Sequence, residues 1–390
     1  MPGSCGGDVY GVRGTPRLQK KGEKHKMLLL SRSMKFPARS WLTGVLAATA
    51  LLLTACGGNS APVSTTSTGS GSSSSSTITI TGAGSTFDYP LFSKIFSEYH
   101  QLHPNVQVNY QSIGSGGGQQ QLFAGTVNFG ASDGPLTDAQ LQAHPTIVHI
   151  PITVGAEAVG YNLPGINSGL RLTGDVLAKI YLGQITKWND PAITTLNPNL
   201  KLPNLPIAVV HRSDGSGTTY IFTAYLSAVN ATWKQKVGYG VSVDWPVGVG
   251  AKGSEGVSGQ VEQTPGAIGY YEMAYAMENH IPMATMQNAD GKWVAPSVAG
   301  ASVGAGQAAS HMPADLRAMF VNAPGPTSYP ISGFSWVLLD SRHVSKPLID
   351  LVTWMIHDGQ KYGPSLYYAP LPQQVVTLDA QKLQGLHVTQ

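Results

Sequence analysis

The sequence predicts an α/β protein built around two hydrophobic cores. Apolar runs of strand length alternate with runs whose apolar residues recur at helical spacing, which is typical of α/β folds with mostly parallel sheets. Residues 77–390 are more than 300 positions, a length that usually divides into two cores. Four predicted strands end in polar, glycine-rich turns, and ligands of such sheets bind outside the carboxyl ends of the strands. The four turns therefore predict one shared ligand pocket.

The elements follow in order along the chain. The first half predicts strands that alternate with helices, and two of the helices begin directly after a glycine-rich turn. The predicted strands cover residues 78–81, 106–110, 127–131, 147–154, 158–163 and 207–211. The polar turns cover residues 82–86, 114–118, 132–133 and 212–218.

The fourth turn, residues 212–218 (RSDGSGT), is called the Arg212 loop below. It combines a guanidinium, hydroxyls and glycines just before apolar residues at helical spacing. Free backbone N–H groups and the helix dipole favour an anion at such a helix N-terminus. Arg212 adds a planar charged fork that suits phosphate. The alternative is a strand–turn–helix corner with a serine cap.

Residues 1–76 precede the predicted fold. Lys35 and Arg39 stand before an apolar run of about 13 residues, which describes a secretory signal and is too short to span a bilayer comfortably. A transmembrane helix is the alternative. The run ends in Leu53-Thr54-Ala55-Cys56, which resembles the bacterial lipobox, whose cysteine is lipidated. We interpret 1–33 as a leader from a wrong start codon, with Met34 as the better start, 34–55 as a lipoprotein signal peptide and 56–76 as a lipidated Ser/Gly-rich tether.

Charge and cysteine content narrow the function. The chain contains Cys5 and Cys56, so a form that begins at Cys56 has neither a disulfide nor a cysteine metal site. The whole chain has 24 Lys and Arg and 21 Asp and Glu, and residues 1–55 contain nine of the former and two of the latter. A form that begins at Cys56 therefore has 15 basic and 19 acidic residues, a net charge of −4. Nothing in that form indicates nucleic-acid binding, and an anion must be held by local groups rather than by a general field.

Several motifs are rejected as enzyme or cofactor sites. Residues 248–253 fit G-x-G-x-x-G, with Glu272 about 20 positions on, but no hydrophobic strand precedes them as a dinucleotide site needs. The chain has no nucleotide P-loop motif and no H-x-x-x-H pair with a glutamate, and residues 213–217 (SDGSG) do not fit the G-x-S-x-G pattern of a nucleophile elbow. We therefore expect no cofactor, metal or catalytic residue. The Trp and Tyr residues of 180–188 and 270–275 are predicted to be core.

Seven separated blocks, in one order, are similar to the phosphate-binding protein of bacterial phosphate ABC importers. They are residues 81–87 (TGAGSTF), 110–117 (YQSIGSGG), 129–136 (FGASDGPL), 180–183 (IYLG), 187–190 (KWND), 212–218 and 265–270 (PGAIGY). The similarity extends from about residue 78 to 375 and is loose near 300–324. It implies a type II periplasmic-binding-protein fold with the ligand in an inter-lobe cleft. Lobe 1 is then residues 77–158 and 334–390, and lobe 2 is residues 159–333.

The resemblance also implies a function and a ligand set. It implies a monomeric, exported, lipid-anchored protein of the periplasm or cell surface that binds inorganic phosphate and delivers it to the permease subunits of an ABC importer with a cytoplasmic ATPase. An enzyme on the same fold, such as a phosphatase, and a surface adhesin are the alternatives. The implied phosphate ligands are Thr86, Phe87, Ser115, Asp133, Arg212, Ser216, Gly217 and Thr218, with Asp214 orienting Arg212.

Asp133 explains how such a site selects phosphate. Near neutral pH phosphate carries a proton and sulfate does not, and a carboxylate only accepts hydrogen bonds. Against sulfate, Asp133 would place two negative charges together in a dry site. The alternative is a turn aspartate before Gly134-Pro135. Asp88 departs from the family pattern, which often has Pro directly after the Phe. We expect the Asp88 side chain to face solvent. The alternative is that its carboxylate lies near the anion site and weakens anion binding.

Overall fold

A computed structural model describes residues 77–388, which form a mixed α/β fold around a curled eight-stranded sheet. The predicted leader, signal peptide, Cys56 and Ser/Gly-rich tether, residues 1–76 together, lie outside the described residues. Among the helices of residues 77–388, none combines the length and the apolar character that crossing a membrane requires.

The elements have the following bounds. The strands are β1 (Ile78–Gly84), β2 (Val106–Ser112), β3 (Phe129–Ser132), β4 (Ile147–Tyr161), β5 (Arg171–Leu172), β6 (Ala208–Arg212), β7 (Val249–Ala251), β8 (Ala267–Glu272), β9 (Thr285–Gln287), β10 (Trp293–Val294) and β11 (Ser332–Asp340). The α-helices are α1 (Tyr89–Leu102), α2 (Ser115–Phe123), α3 (Asp138–Ala143), α4 (Gly174–Tyr181), α5 (Pro191–Thr194), α6 (Gly217–Val229), α7 (Ala231–Lys236), α8 (Gly253–Gln263), α9 (Met273–Glu278), α10 (Val298–Ala309), α11 (Lys346–Ile356) and α12 (Gln373–Gln384). Two 3-10 helices cover Asp358–Tyr362 and Pro364–Leu366.

The main sheet has the strand order β2-β1-β3-β11-β4-β8-β6-β7. At one side β1 is parallel to β2 and β3, and at the other β6 is parallel to β7 and β8. In the middle β11 is antiparallel to β3 and β4, and β4 is antiparallel to β8. Four of the seven strand pairs of the main sheet are parallel, in agreement with the prediction of mostly parallel pairing, and the three antiparallel pairs lie at its centre. A smaller sheet has the order β10-β9-β5.

Strand β4 joins the two sides of the sheet. The prediction of two strands over 147–154 and 158–163 is wrong, because β4 runs without a break for 15 residues. It pairs with β11 over most of its length and with β8 at its end. Gly155 lies inside this strand, and a Cβ there would lie 2.2 Å from the Phe87 ring. The missing side chain lets that ring pack against the strand.

The aromatic residues of the α4 region and of β8 are core residues, as predicted. Tyr181, Trp188 and Tyr270 are fully buried. The Tyr270 ring stacks on Phe222 with centroids 4.1 Å apart, and Trp188 Nε1 donates to the Gly266 carbonyl at 2.9 Å. These rings fill the side of the sheet that carries β6 and β8, and they fix the position from which the Arg212 loop begins.

Candidate anion-binding site

The carboxyl ends of β1, β3 and β6 and the N-termini of α2, α6 and α8 meet at one buried site. Each predicted ligand side chain is at most 3% exposed, so water screens their charges weakly. The structure thus brings all four polar turns together. The buried predicted residues are Thr86, Phe87, Ser115, Asp133, Arg212, Ser216, Gly217 and Thr218.

The loop after β1 presents backbone N–H groups. Tyr275 OH donates to the Thr86 carbonyl and Tyr368 OH donates to the Phe87 carbonyl, each at 2.5 Å. Within residues 77–388, the backbone N–H groups of Thr86 and Phe87 have no hydrogen-bond partner. The Thr86 hydroxyl accepts from the Ser254 N–H at 3.1 Å and lies 3.1 Å from the Ser254 hydroxyl. Buried donors without partners are costly, and an anion would satisfy them.

Asp133, which follows β3, provides the acceptor of the site. The Ser85 hydroxyl donates to its Oδ1, and the Thr218 hydroxyl donates to its Oδ2 at 3.2 Å. Burial raises the pKa of Asp133 to about 6, although hydrogen bonds from Ser85 and Thr218 and the charge of Arg212 lower it. A Cβ on Gly217 would lie 2.5 Å from Oδ2, so glycine is what allows α6 to approach the carboxylate this closely.

Arg212 ends β6 and provides the fixed positive charge. Its Nε donates to Asp214 Oδ1 at 2.7 Å, and its Nη2 donates to Oδ2. Nη1 points toward the hydroxyls of Thr218, at 3.3 Å, and Ser254, at 3.5 Å. Burial opposes the charge, but Asp214 outweighs it and raises the pKa of Arg212. Asp214 also accepts from the Gly253 N–H at 3.1 Å, so it lies behind the guanidinium as a brace.

Two serines close the site at the N-termini of α2 and α6. The Ser115 hydroxyl accepts from the Gly217 N–H at 3.0 Å and from the Asp133 N–H at 3.4 Å. The Ser216 hydroxyl accepts from the Thr219 N–H at 3.1 Å and caps α6. The Arg212 loop therefore also contains the serine-capped helix start that was its alternative interpretation, and this cap is part of the site.

The prediction that Asp88 faces solvent is wrong. Asp88 is fully buried at the N-cap position of α1, and its Oδ2 accepts from the Ser335 hydroxyl at 2.6 Å. The cause is the packing of α1, whose apolar face includes Leu91 and Phe92 and enters the core. That packing brings the start of the helix against β11. Burial, and then the charge of Asp133, raise the pKa of Asp88 well above its ordinary range.

The sequence interpretation missed Ser85 and Ser254 as site residues. Ser85 lies inside a turn that was singled out, yet its contact with Asp133 requires β1 and β3 to be neighbours. Ser254 directly follows the rejected G-x-G-x-x-G motif. In the structure that motif forms β7 and begins α8, which makes it a fifth strand–turn–helix unit. The glycines of this motif and the serine after it were the sequence features that could have indicated a fifth polar turn at the site.

The described residues offer a fixed cation, hydroxyl and backbone donors, and one acceptor carboxylate. Within residues 77–388, no group of three or more His, Cys, Asp or Glu side chains could hold a metal ion. Donors on several sides suit a tetrahedral oxyanion. The Asp133 carboxylate only accepts hydrogen bonds, so a ligand oxygen in contact with it must carry a proton. The arrangement is therefore suited to a protonated oxyanion.

Comparisons with known proteins agree with this fold. The PBP superfamily domain matches residues 62–358. The chain is 45% identical over 300 residues to phosphate-binding protein PstS of Xylella fastidiosa, covering 76% of this chain and 82% of the relative. It is 45% identical over 310 residues to PstS of Pasteurella multocida, covering 78% and 88%. The structure of a high-affinity periplasmic phosphate-binding protein, PfluDING, bound with phosphate has a TM-score of 0.61 at 21% identity, covering 78% and 93%. The chain belongs to the PBP superfamily and, within it, to the PstS family of phosphate-binding proteins.

Proposed function

We propose that this protein binds inorganic phosphate with high affinity outside the cytoplasmic membrane and delivers it to an ABC-type phosphate permease with a cytoplasmic ATPase. The observation that carries the proposal is the buried carboxylate of Asp133 at the same site as the Arg212 loop, 3.2 Å from the Thr218 hydroxyl. The names of the 45% identical relatives, phosphate-binding protein PstS, support it.

Each proposed ligand has a role that its chemistry allows. Hydrogen bonds to a charged group contribute roughly 1.5–3 kcal/mol each. Several of them, less the ordering and desolvation costs, are compatible with micromolar or tighter binding near about −8 kcal/mol. We assign donor roles to Thr86, Phe87, Ser115, Arg212, Ser216, Gly217 and Thr218, the acceptor role to Asp133, and the bracing role to Asp214.

We propose that the site closes between two lobes, residues 77–158 with 334–390, and residues 159–333. Several hydrogen bonds would then cross the cleft, among them Ser254 N–H to the Thr86 hydroxyl at 3.1 Å, Gly217 N–H to the Ser115 hydroxyl at 3.0 Å and the Thr218 hydroxyl to Asp133 Oδ2 at 3.2 Å. Closure would exclude water and strengthen each contact with the anion. Small-angle scattering with and without phosphate tests this; an unchanged radius of gyration contradicts it.

Titration calorimetry with three anions tests the binding function. Phosphate and arsenate carry the same proton and should bind the purified protein and compete for one site. Sulfate has the same shape and no proton, so it is the matched control and should bind at least about a thousandfold more weakly, the equivalent of about 4 kcal/mol. Equal binding of sulfate and phosphate would contradict the proposal.

We propose a binding protein rather than an enzyme. Phosphoester hydrolysis needs a nucleophile or a metal beside the anion, whereas the site presents donors and one paired carboxylate. A phosphomonoester hydrolysis assay on the purified protein, with Arg212→Ala as the background control, should detect no turnover. Steady release of phosphate that the variant abolishes would favour the phosphatase alternative.

We propose that the protein is exported and lipid-anchored through Cys56, and that it is a monomer. The sequence pattern of residues 34–76 supports the anchor. Metabolic labelling with a fatty-acid analogue should mark the wild-type membrane fraction, and Cys56→Ser should abolish the label and release the protein. Light scattering after size exclusion should give the mass of one chain. A Cys56→Ser variant that still carries the label would contradict the lipid anchor. The mass of a dimer would contradict the monomeric state.

A further inference from the structure

Asp88 is a second carboxyl group at the anion site, directly behind Asp133. The Ser85 hydroxyl lies between them: it donates to Asp133 Oδ1 and accepts from the Asp88 backbone N–H at 3.2 Å. Asp88, Ser85 and Asp133 are each at most 1% exposed. Asp88 Oδ2 accepts from Ser335, and within the described part of the chain its Oδ1 has no hydrogen-bond partner.

The two carboxyl groups have different surroundings. Asp133 faces the cation of Arg212 and receives two hydroxyl hydrogen bonds. The titratable groups that act on Asp88 are all acids, namely Asp133 after β3, Tyr110 on β2, Glu272 at the end of β8 and Tyr368 after the second 3-10 helix. A charge on Asp88 would therefore be buried without a cation opposite it. An uncompensated buried charge destabilises a protein by roughly several kcal/mol.

We propose that Asp88 works in its uncharged form, so that the anion site carries the charge of Asp133 without a second negative charge behind it. The inference rests on the proposed phosphate-binding function. The Ser85 hydroxyl holds the two residues together through Asp133 Oδ1 and the Asp88 backbone N–H. If both carboxyl groups were charged, they would repel each other and the incoming phosphate. Asp88 is in this sense a positioning residue that acts on phosphate through Asp133.

The structure-derived pKa directions agree with this division. Burial, followed by the charge of Asp133, raises the pKa of Asp88 well above its ordinary range, against the hydrogen bond from Ser335. The pKa of Asp133 rises only to about 6. Asp133 is therefore the first of the two carboxyl groups to lose its proton as pH rises. Ionisation of Asp88 at higher pH adds the second charge and weakens phosphate binding.

The first test is infrared difference spectroscopy of the full chain near neutral pH. Wild type minus Asp88→Asn should show loss of a protonated carboxyl C=O band. Wild type minus Asp379→Asn is the matched control, because Asp379 is another fully buried carboxyl group, on α12, whose pKa burial raises to about 9. Loss of a carboxylate band in the Asp88→Asn difference overturns the proposal.

The second test is phosphate affinity by calorimetry between about pH 6 and about pH 10, beyond the ordinary range of carboxyl groups. From neutral to the highest pH, wild type and Asp379→Asn should lose at least about tenfold more affinity than Asp88→Asn, a difference of about 1.4 kcal/mol. Parallel curves for wild type and Asp88→Asn overturn the proposal. A wild type that binds no phosphate at any pH overturns the proposed function instead, so the two failures are distinguishable.

Discussion

The two walls of the anion site are built from different chemistry. The first wall, formed by the turns after β1 and β3 and the start of α2, contributes Ser85, Thr86, Ser115 and the two buried carboxyl groups of Asp88 and Asp133. The second wall, formed by the Arg212 loop and Ser254, contributes a guanidinium and two helix N-termini. Its own carboxylate, Asp214, is fully engaged by Arg212 and the Gly253 N–H.

This difference assigns affinity for oxyanions to one wall and selection between oxyanions to the other. The second wall favours any oxyanion, because a guanidinium and helix N-termini recognise negative charge rather than a proton. The first wall contains the acceptor that a fully deprotonated anion cannot satisfy. Changes in the second wall should therefore weaken all anions alike, whereas changes to the acceptor carboxylate of the first wall should alter which anion is preferred.

The largest effect is expected from Arg212→Ala. It removes the charged fork and leaves Asp214 without its partner beside the site, so affinity for phosphate and arsenate should fall by about a thousandfold, or about 4 kcal/mol. Titration calorimetry measures the loss. Arg342→Ala is the control, because Arg342 is exposed and pairs with Asp340 away from the site. A loss within threefold of the control would show that Arg212 is not the main anchor.

Asp133→Asn should change preference more than affinity. The amide can donate to an unprotonated oxygen, so the ratio of phosphate to sulfate affinity should narrow by about a hundredfold, or about 2.7 kcal/mol. Competition between the two anions on the wild type and the variant measures the ratio. Asp138→Asn, at a largely exposed position, should leave it unchanged. If selectivity survives in Asp133→Asn, the carboxylate is not the discriminating group.

The same carboxylate should lower the stability of the ligand-free protein as pH rises. Because burial raises the pKa of Asp133 from 3.8 to about 6, the folded state holds a proton that the unfolded state has lost between those values. The free energy of unfolding should therefore fall between about pH 4 and about pH 6, by up to about 3 kcal/mol. Urea unfolding of wild type and Asp133→Asn in phosphate-free buffer isolates this contribution. Parallel pH dependence of the two proteins would contradict it.

Local sequence was sufficient for the Arg212 loop of the second wall, although not for Ser254. The Arg212 loop is seven consecutive residues, and its cation, cap and helix start follow from their order along the chain, whereas the bracing role of Asp214 was implied by the family resemblance. The turns after β1 and β3 were recognisable for the same reason. Their convergence followed from a general rule on strand ends, which needs no knowledge of the individual contacts.

The first wall depends on contacts that local sequence does not contain. Asp88 is buried by a partner 247 positions away, Ser335, and Thr86 meets Ser254 across 168 positions. A polar residue beside a tyrosine and a proline has the same local pattern whether it faces water or the core. The unbroken course of β4 depends on a distant contact in the same way, since the Phe87 ring packs against Gly155 in the middle of the strand.

The smallest effect is expected from Ser115→Ala, and it tests the comparison where the walls touch. The Ser115 hydroxyl accepts from the N–H groups of Gly217 and Asp133, so it links both walls while carrying no charge. Its loss should weaken phosphate and sulfate by about tenfold each, or about 1.4 kcal/mol, with Ser93→Ala on the exposed face of α1 as the control. Affinity losses equal to those of Arg212→Ala would mean that closure of the walls, rather than the cation, holds the anion. A selective loss of phosphate alone would place discrimination at Ser115 as well as at Asp133.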